Sequence, residues 1–172
     1  GGASPIYVDL RRITGDPAAL QQVAHAFVPV LGRLAFNHLA PVPYGALPLG
    51  TAVALATGSS MVWPRPRPKD HGPGARVEGR WTPGDRVVLI DDVITSGTSA
   101  LEAATLLRGA GLVVEHLVVL VERDPAARSA LAAAGLPLTA VTTLAALVDD
   151  LAVGGAIPSE QRQLIEEAYY LG

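Results

Sequence analysis

The run VVEHLVVLVE at residues 113–122 carries apolar side chains on consecutive positions, not only on alternate ones. A strand wetted on one side alternates, whereas a strand covered on both faces does not. RVVLI at 86–90 has the same character. Helix-like segments follow each run: SALEAATLLRGAG at 99–111, ended by glycines, and DPAARSALAAAG at 124–135. Doubly buried strands separated by helices predict an α/β chain with a mainly parallel central sheet flanked by helices.

The same punctuation runs through the rest of the chain. GGASPIYVDLRR at 1–12 reads as a short strand, and GDPAALQQVAHAFVPVLGRLAF at 15–36 as a helix with Asp16 as N-cap and Pro17 at its first position. HLAPVPYGALPLGTAVALATG at 38–58 reads as strand, loop and helix, and SSMVW at 59–63 as a strand. PLTAVTT at 137–143 is strand-like, and the segments 144–155 and 158–172 are helical. The segment 64–85 has prolines, glycines and charges without an apolar period, which predicts a loop with a ribbon at its end.

With 172 residues, 49% of them hydrophobic and 17% charged, the chain is expected to form one domain over 1–172 with a substantial core. A net charge of −3 argues against a nucleic-acid partner. Cysteine is absent, which excludes disulfides and thiolate metal sites and suits a cytoplasmic protein. No signal peptide is visible. The uncharged run from Ser129 to Val148 is long enough to raise a membrane helix, but Gly135 and Pro137 break it, so no membrane partner is expected.

The chemistry concentrates in VVLIDDVITSGTS at 87–99, where a buried strand meets two acids, then hydroxyls around one glycine. The C-terminal ends of parallel strands are where open sheets place ligands. Unpaired N–H groups at the start of the next helix, its dipole, Gly97 and the hydroxyls of Thr95, Ser96, Thr98 and Ser99 make a cradle for a monophosphate. Asp91 and Asp92 would repel that anion, so they call for neutral hydroxyls or a metal at the other end of the ligand. A helix cap and a pair of solvated acids explain the pieces separately but not their conjunction. GALPLGT at 45–51 has the glycine spacing of a nucleotide-binding loop, but Thr51 occupies the position of the required lysine.

Lys69 is the only lysine beside twelve arginines. Arg65, Arg67, Lys69 and His71 alternate in PRPRPKDH, so an extended backbone would place them on one face. Such a segment could be a solvated basic loop or a mobile lid over a polyanion.

The strand, acids and VITSGTS together resemble the phosphoribosyl-pyrophosphate (PRPP) motif of type I phosphoribosyltransferases. RPRPKDHGPGARVEG resembles the catalytic loop of the orotate phosphoribosyltransferase family, R-K-x-x-K-D-[HY]-G followed by V-E-G, with Pro66 in place of a usual lysine. SPIYVDLRR and VPYGALPL are similar to two further segments of that family, so the resemblance runs from Ser4 to about Leu151. It implies the type I fold, with a small hood built from the N-terminal strand and C-terminal segments. It also implies conversion of orotate and PRPP to orotidine 5′-monophosphate and pyrophosphate.

By this resemblance Asp91 and Asp92 meet the ribose hydroxyls, directly or through Mg²⁺ and water, and Val93, Ile94, Thr95, Ser96, Gly97, Thr98 and Ser99 complete the PRPP site. Tyr7, Thr95 and Arg123 meet orotate, and Arg65, Lys69 and His71 bind the departing pyrophosphate. Mg²⁺ is the implied cofactor, brought by substrate and not held by protein alone. A homodimer is implied, with the 65–80 loop reaching the neighbouring site. The chain departs from the family after Arg123, with DPAA where Glu or Gln and glycines are usual. A phosphoribosyltransferase for another base and a non-catalytic PRPP-sensing regulator remain alternatives.

Overall fold

The computed structural model describes residues 9–65 and 76–170. The roles expected of Tyr7, Lys69 and His71 therefore lie outside the described residues. Two long strands, β5 (Arg86–Ile94) and β6 (Val113–Glu122), form the middle of a five-stranded sheet. Its order is β2-β1-β5-β6-β7, with β1 at His38–Pro41, β2 at Ser60–Met61 and β7 at Leu138–Thr143. Every pairing in it is parallel.

The apolar runs are buried on both faces, as expected. Val87 and Leu89 enter one core cluster and Val88 and Ile90 the other. α3 (Thr98–Gly109) and α4 (Ala127–Ala133) cover the first face. α1 (Pro17–Leu31), α2 (Leu47–Thr57), α5 (Leu144–Val153) and α6 (Ser159–Tyr170) cover the second. Among the described residues no helix is long and apolar enough to cross a membrane; the uncharged run from 129 divides into α4, β7 and α5.

Local chemistry sets the boundaries. The Asp16 carboxylate accepts from the N–H groups of Ala18 and Ala19 at 3.0 and 3.1 Å, with Pro17 opening α1. Thr143 caps α5 by accepting from the Ala146 N–H at 3.2 Å. Gly50 lets α2 lie against β1, since a Cβ there would fall 2.5 Å from the Pro41 Cβ. The hydroxyl of Thr51 donates to the Leu47 carbonyl inside α2 at 2.9 Å. Gly50 and Thr51 of GALPLGT thus serve helix packing and helix hydrogen bonding.

Three boundaries differ from the sequence reading. Leu10–Gly15 is a 3-10 helix, so Leu10–Arg12 do not continue a strand; Thr14 donates to the Arg11 carbonyl and the Asp16 N–H to that of Ile13, satisfying the backbone locally. β5 runs through both acids to Ile94, because β6 continues beside it and pairs Asp91 with Val119 and Ile94 with Glu122. SSMVW divides into β2 and β3 (Trp63–Pro64), which pairs antiparallel with β4 (Val77–Glu78). This ribbon takes one strand from each side of residues 66–75, so it is not confined to the end of the 64–85 segment.

At the N-terminal edge of the sheet a polar network ties three strands together. His38 lies between Ser60 Oγ, 2.7 Å from its Nδ1, and Asp85 Oδ2, 3.0 Å from its Nε2. Asp85 also accepts the Thr82 N–H at 2.7 Å. The His38 hydrogen bond, followed by that of Thr82, holds the Asp85 carboxyl below the usual carboxylate range. A folded-state value below the unfolded one stabilises the fold above about pH 4 and loses that effect as pH falls through the folded value. Asp85→Asn should therefore lower stability to denaturant at pH 6, with the gap from wild type closing as pH approaches 2.

Candidate active site

β1 ends at Pro41 opposite Ile90, and the Val42 N–H makes a last bond to the Ile90 carbonyl at 2.9 Å. Beyond that point β5 continues beside β6 alone. The chain leaving β1 enters α2 on one face, while the chain leaving β5 enters α3 on the other. Such a switch point opens a crevice at the carboxyl ends of the strands.

A cleft of about 320 Å³ occupies this position. Asp91, Asp92, Val93, Thr95 and Ser99 line it from β5 and the following loop, and Arg123 from the end of β6. The opposite wall comes from Val42, Pro43 and Gly45, within VPYGALPL. Leu10 and Arg11 close one side. Arg11 was not singled out in the sequence, although it belongs to the same SPIYVDLRR segment as Tyr7. Its Nε donates to Asp9 Oδ1 at 2.9 Å, and its side chain passes near Gly45.

The two acids fold back on the strand. Asp91 Oδ1 accepts the Asp92 N–H at 2.9 Å and Asp92 Oδ1 accepts the Val93 N–H at 2.8 Å. Burial, and next the charge of Asp92, push the Asp91 carboxyl well above the usual carboxylate range. The pair therefore favours positive charge arriving in the cleft.

The hydroxyl loop is held from behind. Gly97 has φ +79°, and a Cβ there would lie 3.0 Å from a methyl of Leu131 on α4, so conformation and space both require glycine. Its carbonyl accepts the Leu101 N–H at 3.0 Å and starts α3. Ser96 Oγ and Thr98 Oγ1 lie 3.0 Å apart, and Thr95, Ser96, Thr98 and Ser99 are exposed above the first turn. Ile94 is 2% exposed in the core, so what it offers the site is backbone; its carbonyl accepts the Arg123 N–H at 3.1 Å. After Arg123 the carboxylate of Asp124 accepts the Ala126 N–H at 2.8 Å, making a turn from the DPAA sequence.

Arg65 follows β3 and is not among the residues lining this cleft. Its N–H donates to the Arg76 carbonyl at 2.7 Å, and its Nη1 to Glu78 Oε1 at 3.0 Å. Among the described residues no three His, Asp or Glu side chains gather in a metal-binding group. Asp91 and Asp92 are hard oxygen donors whose mutual repulsion a divalent cation would relieve, so they suit Mg²⁺ that brings its other ligands from substrate and water.

A raised folded-state carboxyl destabilises the fold as pH climbs above its unfolded value, because the folded chain then holds the extra proton. Asp91→Asn, which keeps the acceptor for the Asp92 N–H, should raise the melting temperature of the ligand-free chain at pH 7. The difference should shrink toward pH 3, as thermal scans across pH would show.

No family model matches the chain. It is 38% identical over 150 residues to orotate phosphoribosyltransferase of Natronomonas pharaonis, covering 87% of this chain and 85% of that one. It is 36% identical over 161 residues to the bifunctional enzyme PyrF/PyrE of a Nostoc species, covering 94% of this chain but spanning only 34% of that relative's length. Among solved structures, Leishmania donovani UMP synthase matches with a TM-score of 0.89 and 38% identity, over 96% of this chain and 36% of that one. Mycobacterium tuberculosis orotate phosphoribosyltransferase in complex with PRPP matches with a TM-score of 0.72 and 28% identity, over 83% of each chain. With a switch-point cleft that joins an acid pair, a hydroxyl loop and an arginine, and with relatives of this identity and coverage, the chain belongs to the orotate phosphoribosyltransferase family.

Proposed function

We propose that the cleft binds PRPP and orotate together and transfers the phosphoribosyl group to the base, in the biosynthesis of UMP. The observation that carries this reading is the convergence of Asp91, Asp92, Thr95, Ser99 and Arg123 on one cleft at the sheet's switch point. The spacing along it suits one ligand: an anion cradle at 95–99, acids beside the sugar, and a guanidinium at the base.

In the reaction, the bond from the ribose anomeric carbon to pyrophosphate breaks and a bond to the orotate ring nitrogen forms, with loss of that nitrogen's proton. Positive charge develops on the sugar at the transition state. Asp91 and Asp92 would stabilise it while holding the ribose hydroxyls. The hydroxyl loop and the open N–H groups at the start of α3 would hold the 5′-phosphate and fix the sugar's position. Arg123 would pair with the carboxylate of orotate, a planar match that uracil and the purine bases lack.

Mg²⁺ bound through the substrate phosphates would neutralise charge on the leaving pyrophosphate. Lys69, His71 and Arg65 would supply further donors to it, from the loop of a second copy in a homodimer. The pairing of Trp63–Pro64 with Val77–Glu78 and the ion pair of Arg65 with Glu78 fix the chain on both sides of residues 66–75. The absence of cysteine suits the cytoplasm.

Release of pyrophosphate from PRPP and Mg²⁺ should require orotate, and uracil, adenine or hypoxanthine should not replace it. Arg123→Ala should raise the orotate KM by about 10²-fold, the scale of a lost charge-assisted bidentate contact of 1.5–3 kcal/mol. Equal turnover with another base, or PRPP binding without any nucleotide formed, would overturn the reading.

A further inference from the structure

We propose that Arg128, on α4 and remote in role from the substrates, is a positioning residue for the base: it clamps Glu122 and thereby aims Arg123. The inference rests on the reading of Arg123 as the partner of orotate.

Glu122 is the one buried charged or polar residue among those described, 5% exposed at the last position of β6. Both its oxygens are taken by one guanidinium: Arg128 Nε donates to Oε1, and Nη2 donates to Oε2 at 2.6 Å. The third arm of the fork, Nη1, donates to the Leu138 carbonyl at the start of β7, 3.1 Å away. Burying a carboxylate is costly even when it is paired, so the pair by itself is weak evidence of a stabilising role. What the pair supplies instead is direction, because two parallel hydrogen bonds fix the orientation of both planes.

That direction passes to the next residue. Arg123 follows Glu122 directly and lines the cleft, so holding Glu122 toward α4 fixes the backbone from which Arg123 reaches into it. The Arg123 N–H is tied to the Ile94 carbonyl, and Asp124 closes a turn onto Ala126. The backbone around Arg123 is thus held before, at and after it. α4 also contributes Leu131, which packs on Gly97 of the phosphate loop, so one short helix braces both ends of the cleft.

A double-mutant cycle of Arg128→Ala and Arg123→Ala tests this, with KM for orotate, KM for PRPP and kcat measured for each enzyme, and melting temperature as the check on folding. Arg128→Ala should raise the orotate KM by about tenfold, as loss of a supporting contact does, and leave the PRPP KM within about twofold. In the Arg123→Ala background the orotate effect should vanish. Arg128→Lys, which keeps the charge but not the fork, should recover part of it.

An unchanged orotate KM in folded Arg128→Ala would overturn the inference, as would parallel rises in both KM values or an undiminished effect without Arg123. Should Arg128→Ala fail to fold, Arg128→Lys and Glu122→Gln carry the same criteria. Normal orotate KM in Arg123→Ala would remove the reading of Arg123 and this inference with it. A silent Arg128 beside a strong Arg123 effect would remove the inference alone.

Discussion

Everything in this site depends on the way two neighbouring parallel strands part company. β1 and β5 are hydrogen-bonded as far as Pro41 and Ile90, and then their chains leave for opposite faces of the sheet. β5 projects beyond its neighbour with β6 as its support, which exposes one flank of Asp91, Asp92 and Val93 to a cleft. The helix that follows must then begin at the cleft, and its unpaired N–H groups come with it. An acid pair and an anion cradle are adjacent because they are consecutive outcomes of one strand overrunning another.

This arrangement works against stability. Burial and the charge of Asp92 push the Asp91 carboxyl up, so ionising both carboxyls together costs stability. Gly97 gives up conformational restriction in the unfolded chain to permit a positive φ against Leu131. Glu122 buries a charge that the Arg128 fork has to compensate. Unfavourable groups gathered at one end of a sheet whose interior is otherwise Val, Leu, Ile and Ala mark where function outweighs packing. The opposite end shows the contrast: His38, Ser60 and Asp85 satisfy one another and act as a tie across three strands.

Much of the architecture is legible in the sequence because buried parallel strands and capped helices leave strong local marks. RVVLI, VVEHLVVLVE and the Asp16–Pro17 start of α1 all form as their patterns predict. The extent of β5 through Asp91 and Asp92 is not legible, since acids are poor strand formers and only pairing with β6 extends the strand. Nor does an apolar run tell which face its helix will cover, so the switch point emerges from three dimensions alone. The cleft residues Asp91, Asp92, Thr95, Ser99 and Arg123 were readable as motif positions. Arg11 carries no mark of its own within SPIYVDLRR, and Arg128 leaves no local mark because its meaning lies in reaching back across a turn to Glu122.

The central claim is that one ligand spans the cleft in one direction, phosphate at the start of α3 and base at the end of β6. A crystal structure of the chain with orotidine 5′-monophosphate tests it most directly. The account predicts the 5′-phosphate among the N–H groups and hydroxyls of 95–99, the ribose hydroxyls at Asp91 and Asp92, and the base carboxylate on the Arg123 guanidinium. A nucleotide bound with its phosphate on Arg123, or seated away from the β1–β5 switch, would contradict it.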